Sequence, residues 1–524
     1  MKSNHDEETI EDDAQQPHDS GRRDLLRMGL GVGAGLVLGH VLEAPRAAAQ
    51  ESPNRAAGVT TRSGTGWIND AHRASGNGPI DESTRTVVDF VQSFGEAQLT
   101  DSLAEAVSYT MIDSLAALIA GFESESARVC ARIARTTRSD LTSTVLGYGI
   151  ATTPEIAAFA NGCMLRHADF NDVPHNSDII SGVLAIGEAL HSSGTEVMTA
   201  IALAYELASG LGSAGHNQEG GWDGPYNGPA IAMAMGKLLK LNPDQLANAL
   251  SLSLVPHMPM KVTHVGALSM WKGCHSAESV RCAVFACMLA REGMTGPAQP
   301  FAGRQGLFDH MGPFQNLRLP VAGPGGKYVI ERAGYKRFPS EGSTQSVLEL
   351  TPSIHAWTKP EEIASIYIEL PFDGWQETLD PPKWDPRNRE TADHSMPYVV
   401  ARALIDGEIY LDSFTEEKFM DPAARALMEK ITAGPDYDFS WQGEARLTVV
   451  KKSGEKLVRE TRVRFATPLT RQEIIDKFNR VCGFRSVSTE QRDRAREQWL
   501  NLRNIRDIAE PMQTLAKFGN PQPL

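Results

Sequence analysis

The chain has 524 residues, of which 41% are hydrophobic and 22% are charged, and its formal net charge is −14. This composition is typical of a globular protein and excludes an intrinsically disordered one. An acidic chain without a basic block does not favour nucleic acid as the main partner. No window approaches the about 20 apolar residues that a membrane-spanning helix needs, so we expect no stable membrane insertion.

The first 49 residues have the order of an export signal. Arg22-Arg23-Asp24-Leu25-Leu26 precedes the apolar run Met28–Val41, and Ala47-Ala48-Ala49 follows as a small-residue cleavage site. The twin arginine resembles the signal of the Tat system, which exports folded proteins. We therefore expect residues 1–49 to form a Tat-type signal peptide and residues 50–80 a flexible linker, with the mature protein exported to the periplasm.

Residues 81–325 show apolar side chains at helical spacing in successive segments. One clear helix start is Asn242-Pro243-Asp244, with asparagine as the N-cap, proline in the first turn and an acid near the positive end of the helix. Gly293 stands where a glycine would end another helix. We predict one large all-helical domain over residues 81–325, in which many small residues allow close helix packing.

After residue 325 the pattern becomes a mixture of strands and helices. Ile363–Leu370 alternates as a strand does, and Glu444–Val450 and Lys456–Phe465 alternate around Ser453-Gly454, as in a β-hairpin. Glu390–Asp406 shows helical spacing. We predict a mainly α fold in which a smaller α+β lid domain (326–470) follows the helical domain, and C-terminal helices (471–510) pack back on that domain.

The six cysteines include no C-x-x-C pair, so a zinc ribbon or an ordinary iron–sulfur site is not expected. We predict buried free thiols. The cysteines are Cys130, Cys163, Cys274, Cys282, Cys287 and Cys482.

The segment 161–175 places two imidazoles and two carboxylates where a helix runs into a loop. These are His167, Asp169, Asp172 and His175. A loop held by rigid helices is a common place for general acid and base groups, and histidine and aspartate also ligate metals. The alternative is a loop that only caps the helix, and the residue types leave both interpretations open.

Three further segments carry candidate groups: Met270–His275, Arg387–Tyr398 and Tyr335–Ser346. Lys272 lies at the entry to an apolar helix, where an anion would bind, although a solvated lysine fits the same pattern. Arg389 offers a planar fork for a carboxylate, although a helix cap with an exposed arginine fits as well. Residue types alone favour a solvated loop with a helix cap for the third segment.

Together these segments resemble the MmgE/PrpD family, which includes 2-methylcitrate dehydratase and cis-aconitate decarboxylase. The resemblance covers about residues 81 to 504, and its most specific stretch reads KWDPRNRETADHSMPYVVARALIDG. It implies a large helical domain with a smaller α+β lid, a homodimer, and no metal or organic cofactor. The matching stretches are Asn161–Asp172, Leu268–Gly273 with Gly293–Phe301, Gly334–Gln345 and Lys383–Gly407.

Carried over residue by residue, the resemblance implies catalytic roles for four side chains, to which we add four candidates for substrate binding. Cis-aconitate decarboxylases carry histidines where this chain has Asp223 and Gln345, which argues against decarboxylation by their mechanism. The catalytic set is Asp169, His175, Lys272 and Tyr398, and the substrate-binding set is Arg389, His394, Lys336 and Gln345.

We therefore expect a cofactor-independent hydro-lyase of the 2-methylcitrate dehydratase type, whose partner is a small hydroxy-polycarboxylate. Two alternatives stay open. One is an isomerase or epimerase of the same family, which needs the same proton abstraction but no leaving group. The other is a non-catalytic exported relative that retains carboxylate binding.

Overall fold

The computed structural model describes residues 79–524 except 174, 216–223, 225, 372–376, 437, 440–443 and 464–467. The predicted signal peptide (1–49), nearly all of the predicted linker (50–80) and Asp223 lie outside the described residues.

The described chain is mainly α-helical, as the sequence predicts, with short strands between the helices. The α-helices are Glu82–Ser93, Asp101–Gly121, Glu125–Ala134, Pro154–His167, Ile180–Ala189, Gly194–Ala214, Asn227–Leu238, Pro243–Leu254, His275–Arg291, Leu307–Met311, Thr344–Trp357, Arg389–Ala392, Met396–Asp406, Glu416–Phe419, Pro422–Met428, Arg471–Phe484, Thr489–Leu500 and Ala509–Thr514.

Local sequence explains where several of these helices begin and end. The Asn242 side chain accepts a hydrogen bond from the Gln245 backbone at 2.9 Å, and the Gln245 side chain accepts one from the Asn242 backbone at 3.0 Å. This reciprocal cap satisfies N–H groups that have no partner inside the helix. Gly293 follows the helix His275–Arg291 with φ +95°, a conformation that favours glycine. Both predicted helix boundaries are confirmed.

Two helices are longer and more apolar than the sequence analysis expected. Asp101–Gly121 and Gly194–Ala214 each have the length and composition of a membrane span, which corrects the statement that no window approaches one. In each helix 83% of the apolar window is buried inside the protein. Burial on nearly all sides is what the central helix of a globular core shows.

Small residues allow close approach where the helices cross. A Cβ atom on Gly121 would overlap the Met164 carbonyl, and one on Gly162 would lie 2.8 Å from the Ala277 side chain. Gly273 likewise lies against the His167 backbone, with only 3.2 Å between its hypothetical Cβ and the His167 Cα. These contacts bring the end of Pro154–His167 next to the turn that carries Lys272.

The four-stranded sheet has Ile363–Leu370 and Ala445–Lys451 at its centre. Lys456–Thr461 pairs antiparallel with Ala445–Lys451 through the predicted hairpin at Ser453-Gly454, which is confirmed. Ile431–Pro435 pairs parallel with Ile363–Leu370 at the other edge. This edge strand has no local sequence signal, because its Thr-Ala-Gly-Pro stretch does not alternate and its pairing is formed by tertiary contacts.

Two short antiparallel pairs lie outside the sheet. Ser143–Val145 pairs with Ile150–Thr152, and Asp172–Val173 pairs with Gly334–Tyr335. The second pair joins positions more than 150 residues apart and places Lys336 directly beside the loop that contains Asp169.

The predicted helix Glu390–Asp406 is two helices, Arg389–Ala392 and Met396–Asp406, so this prediction was wrong. The Ser395 side chain caps the second helix by accepting from the Tyr398 backbone at 3.1 Å. Pro397 in the first turn has no N–H to continue the preceding helix. The break leaves Asp393 and His394 at a junction between helices.

Buried apolar side chains form two clusters. One extends through the helices before residue 331 and includes Ile474, Phe478 and Trp499 from the C-terminal helices. The other contains residues 347–449, where the sheet packs against Thr344–Trp357 and Met396–Asp406. All six cysteines are buried free thiols, as predicted.

Candidate active site

The first part of the candidate site is the loop that follows the helix Pro154–His167. Asp169 and His175 both have left-handed backbone conformations, with φ values of +49° and +73°. Residues other than glycine adopt this conformation at a cost that surrounding contacts must offset, and such residues concentrate at functional sites. The His175 imidazole Nε2 lies 4.0 Å from the Asp169 carboxylate Oδ1.

Two buried cations contact the same aspartate. Lys336 Nζ lies 3.1 Å from Asp169 Oδ1 and also donates to the Asp169 carbonyl oxygen at 3.1 Å. Arg166, one helical turn before the loop, contacts the same carboxylate oxygen. Asp169 and Lys336 are each 1% exposed, whereas the His175 side chain is 25% exposed. The imidazole therefore lies between a buried ionic cluster and solvent.

The second part of the site is centred on Asp393. Lys272 Nζ and Arg389 Nη1 each donate to Asp393 Oδ2 at 2.9 Å. His394 Nδ1 lies 2.7 Å from the other carboxylate oxygen. The side chains of Lys272 and Asp393 are fully buried. The structure thus brings together Lys272, Arg389 and His394, around an aspartate to which the sequence analysis assigned no role.

The two parts lie close enough for their charges to interact. Arg389 Nη1 donates to the His167 carbonyl at 2.9 Å, which joins the Asp393 cluster to the helix that carries Arg166. The His264 ring stacks on His394 at 6.0 Å between centroids and meets His275 edge-on at 4.7 Å. The charge of Lys272 affects the pKa of both His175 and Lys336, so the two clusters form one electrostatic unit.

Burial and neighbouring cations lower several pKa values in this unit. Burial, followed by the charges of Arg166 and Lys336, lowers the pKa of His175 well below its usual 6.5. Burial and the charge of Lys272 lower the pKa of His394 to about 3. Both imidazoles are therefore neutral at pH 7. A neutral imidazole beside a carboxylate is suited to accept a proton.

The lysines in this unit are also shifted. Burial lowers the pKa of Lys272 to about 8, although the charge of Asp393 opposes the change. Burial and the charge of Arg166 lower the pKa of Lys336 well below its usual value. Burial alone would raise the pKa of Asp393, but the neighbouring Lys272 and His394 hold it below its usual value. The lysines thus release protons more easily than exposed lysines do.

Gln345 does not present a free polar group to this cluster. Its carbonyl oxygen accepts from the Arg337 and Phe338 backbones at 3.1 and 3.0 Å. Its amide nitrogen donates to the carbonyl oxygens of Phe338 and Ser340 at 3.0 and 3.1 Å. The side chain therefore holds the loop 337–341 in shape, which is a supporting role instead of the predicted substrate contact.

Tyr398 is not brought together with the other candidates either. Its ring is fully buried in the apolar cluster of residues 347–449, and its hydroxyl donates to the Ser413 carbonyl. The predicted hydrogen bond from Tyr398 to a substrate is not supported, because that hydroxyl is used within the core.

Tyr398→Phe is therefore expected to reduce stability more than activity. Loss of a buried hydrogen bond costs about 1 kcal/mol in the free energy of unfolding, whereas kcat/KM should change by less than about threefold, which corresponds to less than about 1 kcal/mol. Urea unfolding and steady-state kinetics measure the two effects. A large drop in kcat/KM with unchanged stability would instead place the hydroxyl on the substrate.

Lys477 is a residue of the site that sequence reasoning missed. Its Nζ donates to Asp113 Oδ1 at 2.6 Å and to the carbonyl oxygens of Phe170 and Lys336 at 2.5 and 3.0 Å. One buried ammonium on the helix Arg471–Phe484 thus holds both chain segments that carry Asp169 and Lys336. No local motif marks this lysine, because its partners are distant in sequence.

Lys477→Met is expected to lower the free energy of unfolding by about 3 kcal/mol, because Asp113 loses its cation while staying buried. The double variant Lys477→Met/Asp113→Leu should recover part of that stability. Its kcat/KM should still be at least about tenfold below that of the wild type, because the loop carbonyls lose the donor that they share. Lys418→Met, at a partly exposed ion pair with Asp406, is the matched control. Wild-type activity in the double variant would contradict the positioning role.

Two protein-family models match successive parts of the chain. The model of the MmgE/PrpD N-terminal domain matches residues 85–319, and that of the MmgE/PrpD C-terminal domain matches residues 338–502. The cis-aconitate decarboxylase-like protein oryM of Aspergillus oryzae is 22% identical over 82% of this chain and 97% of its own length.

Two other relatives are named as a dehydratase and a decarboxylase, the two kinds of enzyme considered above. The 2-methylcitrate dehydratase of Salmonella typhimurium is 24% identical over 68% of this chain and 78% of its own length. The human cis-aconitate decarboxylase is 25% identical over 64% of this chain and 72% of its own length. With both domain models matched in order over most of the described residues, the chain belongs to the MmgE/PrpD family.

Proposed function

We propose that this protein is a hydro-lyase that removes water from a hydroxy-polycarboxylate such as 2-methylcitrate, with no metal or organic cofactor in the reaction. The dehydratases and decarboxylases among its relatives support a lyase. The observation that carries the proposal is the partly exposed, neutral imidazole of His175, which lies beside Asp169 and among buried cations.

His175 is the general base in this proposal. Elimination of water needs a group that removes the proton on the carbon beside a carboxylate. The lowered pKa of His175 keeps the imidazole ready to accept that proton at neutral pH. The Asp169 carboxylate, which contacts Lys336 and Arg166, lies 4.0 Å from the imidazole Nε2 and stabilises the positive charge that the ring gains with the proton.

In this proposal the buried cations stabilise charge on the substrate carboxylates and donate a proton to the leaving group. Lys272 and Arg389 lie on one carboxylate oxygen of Asp393, and both are placed to stabilise the negative charge that develops on a substrate carboxylate. Lys336 has a lowered pKa and is our candidate for the proton donor to the departing hydroxyl. This assignment departs from the sequence interpretation, in which Asp169 and His175 together supplied the general acid and base.

Gln345 favours dehydration over decarboxylation. It stands at a position where the resemblance implies a histidine in cis-aconitate decarboxylases, and an amide side chain transfers no proton at neutral pH. The hydrogen bonds of its side chain to the backbone all serve the loop 337–341. A decarboxylation that uses a histidine at this position is therefore not what we propose.

The test is a panel of hydroxy-polycarboxylates incubated with the purified mature protein in deuterated water and followed by NMR. An unsaturated product with loss of water supports the hydro-lyase. Exchange of hydrogen for deuterium without water loss would show an isomerase or epimerase, and release of carbon dioxide a decarboxylase. Tight binding of a carboxylate without any turnover would show a binding protein.

We also propose that the protein is exported by the Tat system to the periplasm and works as a homodimer. The order of twin arginine, apolar run and Ala-Ala-Ala supports export.

Three exposed apolar side chains support a surface that a second copy covers in the homodimer. They are Met260, Val262 and Trp271, which are 62%, 65% and 46% exposed. N-terminal sequencing of the periplasmic fraction and light scattering on the purified protein test the two proposals. A full-length cytoplasmic chain or a monomer would contradict them.

A further inference from the structure

Three side chains of types that ligate metals meet outside the site described above. Glu278 and Cys282 lie one turn apart on the same face of the helix His275–Arg291, and His257 follows the end of the helix Pro243–Leu254. One ligand atom from each residue lies within 4.8 Å of the other two. The Cys282 thiol already donates to Glu278 at 3.1 Å.

This set of donors suits zinc. Thiolate, imidazole and carboxylate are the three ligand types that Zn²⁺ takes, and three protein ligands leave a fourth position for water. Zinc bond lengths place neighbouring ligand atoms about 3.5 Å apart, so the three atoms need to move together by about 1 Å. His257 and Glu278 are partly exposed, while Cys282 is buried, and Glu278 has to give up hydrogen bonds to Arg281 for this movement.

A cation already occupies part of this cluster. Arg281 donates to both carboxylate oxygens of Glu278 at 2.7 Å, and its Nη2 lies 3.3 Å from the Cys282 sulfur. An ion pair this exposed contributes little to stability, whereas zinc bound by a thiolate, an imidazole and a carboxylate is held far more strongly. The guanidinium therefore competes with a metal ion without excluding it.

We propose that His257, Glu278 and Cys282 form a Zn²⁺ site that joins the two ends of the segment 258–277. This segment carries His264, which stacks on His394, and Lys272, which donates to Asp393. A metal bound at its base closes the segment into a loop and restricts the conformations open to it. The site is separate from the groups assigned to the reaction, so its existence does not depend on the proposed function.

Cobalt is the probe, because Co²⁺ replaces zinc and a thiolate–cobalt bond absorbs in the near ultraviolet. Apoprotein prepared by dialysis against a chelator is titrated with Co²⁺ and then with Zn²⁺. We expect one equivalent of Co²⁺ to produce the thiolate band, Zn²⁺ to abolish it, and Zn²⁺ to raise the melting temperature of the wild type. Absence of a thiolate band in the wild-type protein overturns the proposal.

Variants decide which residues bind the metal. Cys282→Ser should abolish the band and His257→Ala should weaken Co²⁺ binding at least about tenfold. The controls Cys130→Ser and His191→Ala, at a buried thiol and an exposed imidazole elsewhere, should bind as the wild type does. A band that survives in Cys282→Ser overturns the assignment.

Arg281→Ala separates a metal site from a cluster that only stabilises the helix surface. Removing the competing guanidinium should tighten Co²⁺ binding, with the thiolate band unchanged in position. Weaker binding in this variant would contradict a site in which Arg281 opposes the metal.

Discussion

His175→Ala is expected to lower kcat/KM by about 10²–10⁴, the usual contribution of a general base. The imidazole is the partly exposed member of the cluster around Asp169, and its Nδ1 has no hydrogen-bond partner among the described residues. Its removal should therefore change the free energy of unfolding little. Steady-state kinetics on the substrate found in the panel, together with urea unfolding, measure both quantities.

The pH dependence of kcat/KM gives a second test of the role of His175. Because the pKa of His175 is lowered, kcat/KM of the wild type should hold down to pH 6.5 and fall only at lower pH. Lys336→Met removes one of the charges that lower this pKa, so in that variant the acid limb should move to higher pH. His191→Ala, with a side chain 71% exposed, is the matched control. Full activity in His175→Ala would remove the base assignment.

Lys272→Met is expected to lower kcat/KM by about 10²–10³, the effect of removing one group that stabilises charge in the transition state. The fully buried Lys272 ammonium contacts Asp393 and lies in the cluster with Arg389 and His394. Because burial lowers the pKa of Lys272 to about 8, the wild-type rate should fall as pH rises through that value, and in the variant only the fall caused by deprotonation of Lys336 should remain.

The same change also tests whether the lysine acts on the substrate or only on the fold. Asp393 keeps Arg389 and His394 as partners, so we expect a loss of about 1–3 kcal/mol in the free energy of unfolding, and the variant should stay folded. Lys418→Met is the control for loss of a lysine at a partly exposed ion pair. Unchanged kcat/KM in a folded Lys272→Met protein would contradict the role in charge stabilisation.

Short-range sequence patterns predicted the elements that local chemistry specifies. The cap at Asn242, the glycine at position 293 and the hairpin around Ser453-Gly454 all appear as expected. Each depends on groups within a few residues of one another. The strand Ile431–Pro435 and the break before Met396 were missed, because the first forms by pairing with a distant strand and the second was hidden by helical spacing on both sides.

For the candidate site too, the sequence predicted some features and missed others. Motifs identified Asp169, His175, Lys272 and Arg389 as ionisable groups in special local settings, and the structure places them in one electrostatic unit. They did not reveal that Tyr398 and Gln345 use their polar atoms within the protein. The type of a residue shows which hydrogen bonds its side chain is able to form, but not whether groups within the protein already form them.

The sequence by itself determined the mainly helical class, the family resemblance and most of the chemical groups of the site, since these depend on residue type and short spacing. Only the tertiary structure showed that Asp393 is shared by Lys272 and Arg389, and that Lys477 holds the carbonyls of Phe170 and Lys336. The contacts of Lys272 and Lys477 join residues more than 100 positions apart. Burial then shifts the pKa values of these groups, and burial is a property of the packed molecule that no local pattern contains.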